Sequence, residues 1–289
     1  MLQPFIIDAA WTLLIAAALA VIGWTVWRPR TALRRGGSWA FPLAAACVFA
    51  VMIARFQWPF RDAWHSAGTL AMVIGPVAAG LSLNWRRPAG LAAAARLLPW
   101  LLVPAVGVLM WFTIRFPGSI EQTTPWRLTM IGVAVGLAAV IEPIAQARRG
   151  WSMPAALAVW CAGAGVFMLF AGFEKFFRVE LALAEACAVM AVIAWRVSAC
   201  SIGRGGSTVI IALTTVMLVL TRAYTYADIP VWCDVVIGVA PLGILLGELP
   251  VIRHRPRTRV FIRLLGVMLP IAFGVVAATR HIDLDLYFG

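Results

Sequence analysis

Ten stretches of mostly apolar residues follow one another along this chain, at about 7–27, 39–56, 64–84, 97–115, 126–146, 153–173, 177–195, 207–224, 231–248 and 260–279. Each has the length of an α-helix that crosses the hydrocarbon core of a bilayer, roughly 20 residues. The spacing predicts an all-α fold: a polytopic integral membrane helical bundle of about ten transmembrane helices. Ten such helices use some two hundred positions, so residues 1–289 read as a single transmembrane domain with no extramembrane domain. Composition agrees, because only 12% of the residues are charged, about half the share in a soluble domain.

The chain carries 24 basic and 12 acidic residues, a formal charge of +12. On a soluble protein that excess would point to nucleic acid. Here the basic residues stand in short clusters between apolar runs, the pattern of cytoplasmic loops. The expected partner is the lipid bilayer, not nucleic acid. Asp8 precedes the first run and Arg28, Arg30, Arg34 and Arg35 follow it, the reverse of a cleaved signal peptide. That order places the N-terminus outside. Carried forward through ten helices, the alternation puts sixteen basic residues on inner connections and eight on outer ones, and predicts both termini on the non-cytoplasmic side.

Two segments resemble each other. Trp126 to Glu142 and Trp232 to Glu248 share a tryptophan, an Ile-Gly-Val-Ala core and a terminal glutamate without a gap. Each glutamate is followed by arginines, and an Arg-Gly-Gly-Ser motif precedes both the second and the eighth runs (35–38 and 204–207). These matches suggest a parallel hairpin repeat, in which Glu142 and Glu248 are equivalent acids at the inner interface. Gly132 with Gly136, and Gly243 with Gly247, have the small-xxx-small spacing of close helix contacts.

Chemistry-bearing residues are few. The five cysteines (Cys47, Cys161, Cys187, Cys200, Cys233) show no metal-ligand spacing and read as small packing residues. His65, His254 and His281 lie at helix ends or in a loop, so neither a haem nor a zinc site is expected. No cofactor is implied. No Walker, GxSxG or HExxH motif occurs.

The acids inside the seventh to ninth runs carry more information, since an ionisable residue deep in a bilayer is costly. Glu185 lies roughly 12 Å along the seventh helix. Its neighbours at helical spacing are Leu181, Ala182, Ala188 and Val189, so its own helix offers no partner. Arg222, Asp234, Glu180 and Lys175 fall on the same outer side. Together these five form the candidate pathway for substrate or protons, with Arg222 the expected partner of Glu185. Glu174 and Arg178 are spaced to pair at the surface.

Two functions fit. One is a secondary carrier or channel-like permease for a small solute, using the ionisable cluster in the outer half of helices seven to nine. The other is a non-catalytic integral subunit of a larger membrane complex, whose partners are other membrane chains. An intramembrane enzyme is third, because it needs convergent His, Asp or Ser groups that this chain hardly offers.

Overall fold

A computed structural model describes residues 65–82, 92–114, 120–148, 150–196, 205–225 and 228–281, with Leu14, Ala18, Phe116 and Ile202. The first two apolar runs, the Arg-Gly-Gly-Ser motif at 35–38 and both termini lie outside the described residues. All regular structure among the described residues is helical: α1 (His65–Ser82), α2 (Ala92–Thr113), α3 (Ile120–Ala147), α4 (Ser152–Phe170), α5 (Glu174–Arg196), α6 (Gly206–Tyr224), α7 (Val231–Val239), α8 (Pro250–Arg253) and α9 (Pro256–Thr279). A 3-10 segment, Ala240–Glu248, continues α7.

Five segments among the described residues are long and apolar enough to cross a membrane: Glu121–Ala147, Ser152–Phe170, Gly206–Tyr224, Val231–Glu248 and Pro256–Thr279. These match the fifth, sixth, eighth, ninth and tenth runs. The third and fourth runs form α1, of 18 residues, and α2, of 22 residues, which include the apolar stretches Gly68–Val77 and Val103–Thr113. The seventh, α5, has 23 residues but carries Glu174, Lys175, Arg178, Glu180, Glu185 and Arg196. Its charge, not its length, sets it apart from the five.

Helix α6 is the centre of the bundle. Every residue from Gly206 to Leu218 is buried, and the helix packs on α1, α3, α4, α5 and α7. The largest seams elsewhere are the α4–α5 hairpin and the packing of α9 against the 3-10 segment. Glycine makes the second seam possible. A Cβ on Gly243 would sit 2.1 Å from the Gly266 carbonyl oxygen, and one on Gly247 would sit 2.4 Å from Arg263 Cγ. The Gly243–Gly247 spacing therefore marks a true close contact. The Gly132–Gly136 spacing does not, because a Cβ at either position meets nothing within 4 Å.

The 3-10 segment follows from Pro241. Proline has no N–H to give the Ile237 carbonyl, which an α-helix would require. The chain tightens instead, and Ala240 donates to Ile237. The buried Trp160 indole of α4 donates to the same oxygen at 2.9 Å. Nine α residues and nine 3-10 residues rise roughly 14 and 18 Å. The short segment Val231–Glu248 thereby reaches the full thickness of the core.

The two matched segments pack against different neighbours. Helix α3 stays α-helical through Pro125 and Pro143 and packs mainly on α2 and α6, while α7 and its 3-10 extension pack mainly on α9. Glu142 and Glu248 also stand in different surroundings, described next. A shared residue pattern thus meets two different sets of neighbours.

Candidate functional site

Polar groups gather at three levels of the bundle. At the end formed by the turns after α3, before α6 and after the 3-10 segment, the two matched glutamates are both engaged, but differently. Glu142 of α3 is buried and caps α6. Its Oε1 accepts from Gly205 N at 2.6 Å and Gln146 Nε2 at 2.8 Å. Its Oε2 accepts from Thr208 N at 3.1 Å, Thr208 Oγ1 at 2.9 Å and Ser207 Oγ. Helix α6 has no N-cap side chain of its own. Gly205 takes a positive φ of 81° there, which lets the chain turn its first amides toward the incoming carboxylate. Gly205 and Ser207 of the Arg-Gly-Gly-Ser motif, with Thr208, are thus half of an inter-helix cap, and Glu142 is the other half.

Glu248 closes the 3-10 segment with charge. Its oxygens bind Arg148, whose Nε lies at 3.1 and 3.2 Å, and Arg263 of α9. Arg263 is fully buried and also donates to Ser152 Oγ at 2.9 Å. This network ties α3, α4, α9 and the 3-10 segment together at one end.

At the opposite end Arg222 donates to the Ile229 carbonyl at 2.6 Å and faces Asp234 at 3.7 Å. Arg222 is therefore engaged with Asp234, and the expected Glu185–Arg222 pair is not formed. The two ionic residues flank the α6–α7 connection, which brings them close in space. Arg178 pairs with Glu174 as their spacing predicts, and Lys175 also has partners at this end. Arg127 donates to the Trp111 carbonyl, one of the orphan acceptors at the end of α2, and stacks 5.6 Å over the Trp111 ring.

The middle level holds Glu180. Its side chain is wholly buried where α4, α5 and α6 meet. Thr214 Oγ1, about halfway along α6, donates to Oε2 at 2.9 Å. The Cys161 thiol of α4 lies beside it, 3.5 Å from Thr214 Oγ1 and next to Cys187. Gly165 of α4 allows the approach, since a Cβ there would lie 3.1 Å from Glu180 Cβ. The second oxygen, Oε1, has no hydrogen-bond partner, and neither has the buried Thr215 hydroxyl on α6. No cation pairs with Glu180 among the described residues.

Glu185 is half-buried, and its Oε2 is enclosed without a hydrogen-bond partner. The five candidate residues thus separate: Arg222, Asp234 and Lys175 hold the end opposite Glu248, Glu180 lies within the bundle, and Glu185 stands apart on α5. The hydroxyl and thiol groups around Glu180 were not singled out by sequence. A threonine pair at mid-helix, Thr214-Thr215, is the signal that points to them. Among the described residues no group of three His, Cys, Asp or Glu side chains is arranged to hold a metal. The sequence matches no protein-family model and no curated protein.

Proposed function

We propose that this protein is a secondary carrier or channel-like permease for a small solute, with Glu180 as the carboxyl at the heart of its pathway. The ten-helix topology, with both termini on the non-cytoplasmic side, belongs to this reading and rests on the apolar runs and the arginine bias. One contrast carries the functional part. Glu142 is a buried carboxylate with five donors, as a structural acid should be. Glu180 is buried more completely, yet one of its oxygens has no donor at all. A fold that leaves a polar atom orphaned at that depth bears a cost of about 1–3 kcal/mol, and buried ionisable groups in membranes characteristically mark ion, proton or substrate paths.

Two further features support the reading. Pro241 and the 3-10 segment interrupt the α-helical hydrogen-bond ladder after α7, a place where one half can move against the other. The Arg222–Asp234 pair sits at one end and the Glu142 and Glu248 networks at the other, so the middle level is closed at both ends by polar contacts that a moving bundle can exchange.

The test uses purified full-length protein in proteoliposomes loaded with a pH-sensitive dye. Panels of amino acids, sugars and nucleosides are added outside. A solute-dependent pH change that disappears in Glu180→Gln, with the variant still folded, supports the permease. No response in the wild type, together with other membrane chains co-purifying in mild detergent, supports the non-catalytic subunit instead.

A further inference from the structure

The end of the bundle that holds Glu248 carries more positive charge than its own acids neutralise. Arg148 and Arg263 both bind Glu248, and Arg259 lies one turn from Arg263, near enough, like Arg148, to repel it. Two guanidinium groups therefore share one carboxylate, with a third, Arg259, close by. Glu142, the other acid at this end, is fully engaged by the first turn of α6. Two donors remain unused: the Nε atoms of Arg259 and of the fully buried Arg263 are enclosed without hydrogen-bond partners.

The helix termini add to this field. Helices α4 and α9 both begin here, and neither has a side-chain N-cap, so the free amides of their first turns, of which Pro256 supplies none, present partial positive charge. Arg255 and Arg257 stand exposed in the same turn. Beside them Leu249, Val251 and Phe261 are exposed apolar side chains, 47%, 86% and 61% accessible. A site that pairs uncompensated guanidinium charge with an open apolar flank fits a ligand with an anionic head and a hydrocarbon tail.

We propose that the surface formed by Arg148, Arg255, Arg257 and Arg259, lying over the buried Arg263 at the start of α9, binds the phosphate of an anionic phospholipid. The arginine bias places that lipid in the cytoplasmic leaflet. The phosphate takes up the excess charge, and the acyl chains lie along Val251 and Phe261. Neither a free phosphate nor a zwitterionic lipid satisfies both halves of the surface.

Full-length protein in mild detergent is titrated with phosphatidylglycerol, with phosphatidylcholine of the same chains, and with inorganic phosphate, while its melting temperature is followed. Phosphatidylglycerol should raise the melting temperature, and the other two at matched concentration should not. Arg259→Gln should raise the half-saturating phosphatidylglycerol concentration about fivefold. Arg280→Gln, at the other end of α9, should leave it unchanged. An equal response to phosphatidylcholine overturns the charge recognition, and an equal response to inorganic phosphate overturns the lipid as ligand. An unchanged titration in Arg259→Gln overturns the site. If that variant does not fold, the wild-type titration must weaken as salt is raised, and a salt-independent titration overturns the proposal.

Discussion

Replacing Glu142 with glutamine separates a structural acid from a functional one, and its cost can be worked from the contacts. The carboxylate accepts two donors on Oε1 and three on Oε2. A glutamine keeps one acceptor oxygen and must turn its NH2 toward one of these donor sets. In the better orientation the oxygen keeps Ser207 and Thr208, and the NH2 confronts Gly205 N–H and the Gln146 amide. A hydrogen bond to a charged acceptor contributes about 1.5–3 kcal/mol, and a negative charge at a partly buried helix N-terminus up to about 2 kcal/mol. Together the loss is about 3–5 kcal/mol, or a melting temperature lower by roughly 10 °C for a chain of this size. Thermal unfolding in mild detergent, followed by tryptophan fluorescence, measures it. Glu121→Gln, exposed in the first turn of the same helix, is the control and should stay within about 0.5 kcal/mol. A Glu142→Gln protein that melts with the wild type would refute the inter-helix cap.

Gly243→Ala should destabilise by about 3 kcal/mol or more, because the new methyl falls on the Gly266 backbone, which cannot move aside as a side chain tip can; a thermal melt measures it. Trp160→Phe keeps most of the volume but removes the indole bond to Ile237, and should cost about 1–2 kcal/mol in the same assay. For the topology, cysteines introduced at Ser82 and Thr258 should react with a membrane-impermeant reagent from the cytoplasmic side, and one at Ser119 from the outer side. Labelling of Thr258→Cys and Ser119→Cys from one side would refute ten helices with outer termini.

How far the sequence speaks differs from feature to feature. The runs at 153–173, 207–224, 231–248 and 260–279 return as helices with nearly the same limits, because length and apolarity follow directly from the bilayer's thickness. Which face each helix buries was not legible. In water a polar stripe marks the exposed side, but lipid is as apolar as the protein interior. Helix α6, buried almost throughout, therefore reads much like α9, which exposes Phe261, Leu269 and Phe273. For the same reason two identical glycine spacings gave one seam and one open face. Counting depth along α5 singled out Glu185, whereas it is Gly165 and Thr214, on two other helices, that enclose Glu180. A proline at 241 breaks the α-helical ladder by its own chemistry. It did not announce that Trp160 would supply the missing donor, since the two residues meet only through the packing of α4 on α7.

The most direct test of the central claim is infrared difference spectroscopy of the carboxyl region, recorded as a transported solute is added to the reconstituted protein. The Glu180 account predicts a carboxyl C=O band that changes with solute and is missing from Glu180→Gln, while bands from Glu142 and Glu248 stay constant. Glu180→Gln protein with an unchanged difference spectrum and undiminished solute flux would contradict it.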